Sequence, residues 1–433
     1  MDRKIQTSFI TKTLAVAITA AMASTVQAAS TEQQQIQELR QEVQALKALI
    51  QQQQQVQQQQ QVQIQQVQAQ PAPAAKSASP FSLKSKGGAE VNLYGFVRGD
   101  ANYIVEGADN DFNSVHTSTG AAKDKLRATP KTTRLGLDFS SPVGDRKVGG
   151  KIEVDFAGTN DALRIRHAYL TLDNWLLGQT TSNFLSNHAP EMIDFGTNVG
   201  GGTTRIPQVR YSHKLAPATQ LLVSAEEGNS SAQALKLNDD DELATAGSDV
   251  TYRLPVLTAK LTQGFAEGKG AASARALVEH YKAESGDDKT GWGVAAGVNY
   301  QVVEPLKVSA DVSYVQGNSN YLYGSNSAFY VNPENGDIEQ NEFTAFQVGA
   351  TYKFAPNLRS TLGYGAIFAD DGTDYAVLNR SANEEVYQAW LNFIYSPVKP
   401  VDLGIEYING ERETFAGNKF KDNRFGLMAR YNF

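Results

Sequence analysis

The sequence predicts an all-β transmembrane barrel of 16 antiparallel strands, preceded by an N-terminal periplasmic α-helical coiled coil. Three observations predict it. Apolar residues recur with a period of two from residue 90 to the last residue. The face opposite them is charged, Gly-rich or hydroxylic, which suits a water-filled lumen and not a packed sandwich core. No run beyond the N-terminus is long and apolar enough for a membrane helix, which needs about 20 such residues. A barrel of this kind hides its apolar half by alternation, so its average hydropathy imitates that of a soluble protein.

Composition excludes several alternatives. The 433 residues include no Cys, which rules out a disulfide scaffold, a Cys-ligated metal and a thiol nucleophile. Lys and Arg number 39 against 46 Asp and Glu, a net charge of −7. Nucleic acid is therefore not an expected partner, since its binders carry a dominant basic field.

Residues 1–28 read as a secretory signal peptide. Arg3, Lys4 and Lys12 give the basic start, Leu14 to Ala23 the short apolar core, and Val26-Gln27-Ala28 the small residues for cleavage before Ala29. A ten-residue core is too short for a membrane anchor. In the Gln-rich stretch 29–70, Ile36, Leu39, Val43, Leu46 and Ile50 step by three and four, the seam of a coiled coil that needs a partner copy. A disordered Gln-rich tract is the alternative. Gln53, Gln57 and Gln60 then occupy the seam before Ile64 and Val67 restore it, so order over 51–68 is open. Residues 71–89, with Pro71, Pro73 and Pro80 among Ala and Ser, cannot build a core and form a semi-extended linker.

Residues 90–433 make the barrel. At the C-terminus Phe425, Leu427, Ala429, Tyr431 and Phe433 share one face, and Arg424, Gly426, Met428, Arg430 and Asn432 the other. Val308, Ala310, Val312 and Tyr314 alternate with Lys307, Ser309, Asp311 and Ser313 in the same way. Strands are expected near 91–104, 131–141, 147–158, 161–173, 174–181, 204–214, 219–227, 247–254, 257–267, 291–302, 306–317, 343–354, 357–369, 386–396, 401–411 and 423–433. Prolines cluster in the short connections, including Leu254-Pro-Val, Val303-Glu-Pro and Phe354-Ala-Pro-Asn, where no ladder donor is needed. Alternation of long with short connections places 274–283 in an external loop, because a seventeenth strand would put the Glu-Pro turn at the wrong end. The long connections, 105–130, 182–203, 228–246, 268–290, 318–342, 370–385 and 412–422, then share one end, with one short tip at 158–161.

These features resemble a Gram-negative general porin, and terminal Phe433 with its alternating aromatics resembles the signal read by the barrel-assembly machinery. The stalk, the linker and the run Leu163 to Phe184 (LRIRHAYLTLDNWLLGQTTSNF) resemble the DcaP-like porins. That resemblance implies a trimer in outer-membrane lipid and lipopolysaccharide, a periplasmic coiled coil, and passive diffusion of dicarboxylic and other organic anions, with no cofactor. The Ile-a/Leu-d rule favours two strands; the glutamines blur that bias, and the trimer is preferred.

Alternation places Arg98, Arg134, Arg164, Arg166, Arg210, Arg359, Arg424 and Arg430 on lumen faces. Closely spaced guanidinium groups attract anions, and two of them can each fork onto one carboxylate of a dicarboxylate. Asp100, Asp138, Glu153, Asp155, Asp311 and Glu406 are the acidic counterweights, and the plainer reading is that Arg and acid pair across strands to stiffen the wall. Loop 182–203 is expected to fold inward as a constriction. Phe184, Met192, Ile193 and Phe195 would pack on the wall, and Glu191 and Asp194 would face the pore opposite the arginines. Gly200, Gly201 and Gly202 let backbone approach closely and reverse direction. An external loop is the alternative.

Other motifs are weak. Asp109-Asn-Asp111-Phe-Asn113 begins like an EF-hand, but Ser114 and Gly120 stand where Gly and Glu are required. His116, His167, His188, His213 and His280 show no metal spacing, and no catalytic motif occurs. Two rivals to the selective pore remain: a non-selective pore whose stalk tethers peptidoglycan or another periplasmic partner, and a barrel hydrolase using His116 or His188.

Overall fold

The computed structural model describes residues 82–84, 88–228, 230, 234–247 and 249–433. The signal peptide, the coiled coil and most of the linker lie outside the described residues. The alternating text becomes sixteen long antiparallel strands: β1 (Glu90–Gly107), β2 (Arg134–Val143), β3 (Arg146–Asp155), β4 (Arg164–Leu172), β5 (Trp175–Thr181), β6 (Arg205–Ala216), β7 (Thr219–Glu226), β8 (Val256–Phe265), β9 (Gly270–Ala283), β10 (Asp288–Val303), β11 (Leu306–Gln316), β12 (Glu342–Ala355), β13 (Leu358–Ala369), β14 (Asn383–Val398), β15 (Val401–Thr414) and β16 (Lys419–Asn432). Each pairs with its sequence neighbours, and β16 pairs with β1 from Phe96↔Asn432 to Ile104↔Arg424, so the sheet closes on itself. Mutual bonds between the backbones of Gly95 and Phe433 (3.1 and 3.0 Å) fasten the seam. Closure leaves no sheet edge and pairs the backbone internally, which hydrocarbon demands.

The period of two sorts the side chains as the alternation requires. Phe425, Leu427 and Tyr431 point out and are about half exposed, while Arg424 and Met428 point in and are buried. Val312 and Val348 likewise face outward against buried Asp311 and Gln347. Two local departures matter. The far half of β1 leaves β2 and pairs instead with Ala122–Thr129, a strand inside the first long connection. Short strands of two loops, Leu235–Leu237 with Leu243–Thr245 and Phe329–Val331 with Ile338–Gln340, join in a separate four-stranded sheet at the long-loop end.

Sixteen strands are found, but not the expected sixteen. Residues 274–283 are not an external loop: they form most of β9, paired with β8 from Leu257↔Val278 to Phe265↔Gly270 and with β10 on the other side. The expected strand 247–254 reduces to Val250–Thr251, which pairs only with the tip of β9. The two errors cancel in the count. Leu254-Pro-Val closes a long loop and is no short turn; the short turn there is Ala266–Gly268 with Lys269, where Ala266 and Glu267 adopt left-handed φ of 50° and 55° without a proline to mark them. Beyond β9, only residues 284–287 connect to β10, so the expected loop 268–290 does not exist and the long/short rule fails there. The last connection, expected over 412–422, is confined to 415–418. The tip near 158–161 spans 156–163 with a single 3₁₀ turn.

Candidate functional site

Residues 182–204 run from β5 to β6 through the inside of the barrel. Phe184, Leu185 and Val199 are fully buried and pack with Val256, Leu277, Ala295, Val315, Phe343, Ala345 and Ile367 from the inner wall. Removing each large side chain from water favours this arrangement by roughly 2 kcal/mol. Polar groups fix the rest of the path. Lys260 of β8 donates to the Leu185 carbonyl at 2.7 Å, Arg275 of β9 to the Phe184 carbonyl at 3.1 Å, and Gln347 of β12 to the Val199 carbonyl at 2.9 Å. The Glu191 carbonyl accepts from Trp390 Nε1 and Asn392 Nδ2, both at 3.0 Å. Glu406 of β15 accepts the backbone N–H groups of Ile193 (2.9 Å) and Asp194 (2.8 Å). Arg98 of β1 donates to the Ile193 carbonyl at 2.6 Å. The loop is thus stitched to β8, β9, β12, β14, β15 and β1.

The triple glycine allows the tightest part of this course. A Cβ on Gly200, whose φ is 79°, would lie 2.3 Å from the Phe346 carbonyl oxygen, one on Gly201 2.5 Å from Gln347 Oε1, and one on Gly202 1.9 Å from the Tyr321 carbonyl oxygen. Two other loops lock onto this one, which the sequence reading did not foresee. Tyr323 N donates to the Gly201 carbonyl at 2.7 Å, and Asn113 N donates to Asp194 Oδ2 at 2.8 Å. No residue-type signal announces these contacts, because they join segments more than 80 residues apart.

The expected arginines divide into distinct groups. Arg98 is buried and forks onto Asp100 (2.6 and 2.9 Å). Arg424 is also buried; it binds Asp422 and the carbonyls of Ala108 and Asn110, so it does not line an open lumen. Arg430 pairs with Asp402 at 2.6 Å. Arg359 forks onto Glu191, with both bonds at 2.7 Å. Of the two acids expected to face the arginines across the pore, only Glu191 is paired directly with one. Glu191 is engaged by Arg359, and Asp194 is buried, accepting N–H bonds from Asn113 and Gly196.

The remaining arginines gather on the wall from β2 to β6. Arg164 forks onto Asp155 (2.9 and 2.7 Å), and Arg166 bridges Glu153 (2.7 Å) and Asp155 (2.8 Å). Arg134 lies 3.4 Å from Glu153, which also accepts from Tyr94 at 2.8 Å. Arg210 shares its register row with inward Leu176 and Ser224. Arg205, absent from the expected set because its parity points outward, interacts electrostatically with Arg166, Arg134 and Arg164 at the mouth of the loop. With Lys151, 3.2 Å from Asp138, and Glu226 of β7, which interacts electrostatically with Arg210, this cluster sets six cations against four carboxylates.

Histidines 116 and 188 sit inside loop packing. His188 is buried between Ser273 Oγ and Asn299 Nδ2, each at 3.0 Å. His116 stacks edge-on against Tyr323 at 4.7 Å, and burial together with the nearby Arg412 lowers its pKa to about 4. Asp109 and Asp111 are engaged by Lys125, Arg127 and Lys131. Among the described residues, no group of three or more acidic or imidazole side chains is arranged to hold a metal.

A family model described as the DcaP outer membrane protein matches residues 15–433. The chain belongs to the DcaP outer membrane protein family. The crystal structure of the outer membrane channel DcaP of Acinetobacter baumannii is 66% identical, covering 81% of this chain and 99% of that one, with a TM-score of 0.75. OmpT of Vibrio cholerae (15% identity, 82% and 100% coverage, TM-score 0.53) and an anion-selective porin from Comamonas acidovorans (13%, 80% and 100%, 0.52) share the fold. No curated protein matches. This DcaP-family chain is an outer-membrane porin, of a family and fold that are channels and not enzymes.

Proposed function

We propose that the channel passes small organic anions by passive diffusion and prefers dicarboxylates. The observation that carries this reading is the surplus of cations in the cluster along the β2–β6 wall, where six basic groups meet four acids. The inward loop covers much of the opposite wall and directs permeating solutes past this surplus. Guanidinium groups in such a confined, partly desolvated space favour carboxylates over cations, and a solute with two carboxylates engages two of them at once. The test is the reversal potential of the purified protein in a planar bilayer under a salt gradient. Anion preference with concentration-dependent block by succinate is expected; cation preference with no block would defeat the reading.

The channel works as a homotrimer in lipid and lipopolysaccharide, with the N-terminal stalk in the periplasm. The support is strand length. β4 and β5 have nine and seven residues, against 14 to 16 in β9, β10, β14, β15 and β16. A strand needs about 9–11 residues to cross the hydrocarbon layer, so the low side of the barrel is the side that partner copies cover. Phe433, paired into the closing seam, is the end that the assembly machinery would read.

A further inference from the structure

Resting on the anion-pore reading above, we infer that Arg359 is a second anion station in the lumen, apart from the β2–β6 wall, and that the Glu191 side chain is a tethered carboxylate occupying it, displaced by carboxylate solutes. Arg359 holds Glu191 by two parallel bonds of 2.7 Å, from Nε to Oε2 and from Nη2 to Oε1. That fork is the geometry by which a guanidinium takes a free carboxylate. Lys307 of β11 interacts electrostatically with Glu191, and Lys353 is the register partner of Arg359 on β12. The pocket around the one carboxylate is therefore basic. Asp402, which also interacts electrostatically with Arg359, is held by Arg430, Ser396 and Asn432.

The pair is within reach of solutes, as the side chains of Arg359 and Glu191 are 26% and 35% exposed. By contrast, the Arg98–Asp100 pair is 2% exposed on both sides. The backbone beneath Glu191 does not depend on its side chain. The Glu191 carbonyl is held by Trp390 and Asn392, and the next two residues but one are held by Glu406 and Arg98. Glu191 can therefore swing off Arg359 while the loop stays in place. The ligand class is a carboxylate, with the charge of the basic pocket favouring a second carboxylate over a neutral tail.

The experiment compares wild type, Glu191→Gln, Arg359→Gln and the double variant in planar bilayers, with succinate as the probe and acetate as the monoanionic control. Glu191→Gln is expected to raise anion preference and lower the succinate concentration for half-block by about threefold to fivefold, the effect of an exposed ion pair. Adding Arg359→Gln should abolish that gain. An unchanged half-block in Glu191→Gln, or a gain that persists when Arg359→Gln is added, overturns the inference. The wild-type reversal potential separates this from failure of the pore reading: an anion-selective wild type with a silent Glu191→Gln defeats only the second station, whereas a cation-selective wild type defeats both.

Discussion

At the scale of single residues, charge pairing decides which groups a solute meets. Arg98 and Arg424 were indistinguishable from Arg134 and Arg210 by parity, yet each is buried against its own carboxylate two positions along the same strand. Their work is to hold wall and loops, since a buried, forked pair is costly to break by removing one partner. Arg205 and Arg210 are the groups whose loss should register in selectivity. Changing both to Gln is expected to reduce the anion-to-cation permeability ratio severalfold in reversal-potential measurements, by removing two of six charges from the wall. Arg424→Gln, in contrast, should lower thermal stability with little change in the ratio. His116 makes a pH prediction. An unperturbed imidazole titrates near 6.5, and this one is held at about 4 by burial beside Arg412. The native state therefore binds fewer protons than the unfolded one between those values. Its contribution is complete above pH 6.5 and is lost as pH falls toward 4. Melting curves of the detergent-solubilised protein across pH 7 to 4 should show this slope, and His116→Phe should reduce it.

At the scale of elements, β9 and the inward loop carry the structural argument. Ala276 lies mid-strand between Ala259 of β8 and Val294 of β10. Ala276→Pro would remove a ladder donor in lipid, so folding should fail in a heat-modifiability gel; a loop at this position would tolerate it. Strand β9 was hard to read because its inner face mixes Arg275, Leu277, Glu279 and Tyr281, buried beneath loops instead of open to water. The short turn before it also lacks the proline that marked the others. For the loop, Glu406 is the latch. Glu406→Ala leaves the N–H groups of Ile193 and Asp194 without their acceptor, at about 1–3 kcal/mol each. Single-channel recordings should then show higher and noisier conductance. The inward course was legible from the apolar residues 184 and 193 and from the glycines; its fastening to Glu406, Trp390 and Asn392 was not, because those partners lie some 200 residues away.

At the scale of the whole molecule, the proposed trimer rests on the low wall of the barrel. Leu170, on the short β4, is half exposed and faces outward beside Leu177. Leu170→Lys should shift the detergent-extracted protein from trimer to smaller species by analytical ultracentrifugation; an unchanged distribution would place the contact between copies elsewhere. The sequence alone determined that the chain is a closed barrel with an apolar outside and a polar inside. That property is local: every residue declares its face by its parity, and lipid accepts only a closed sheet. Which segments supply two of the expected features, where the loop is latched, and which arginines remain in surplus were decided only by the fold. These depend on partners brought together across hundreds of residues, and a carboxylate neutralises whichever guanidinium the closed wall places within about 3 Å of it.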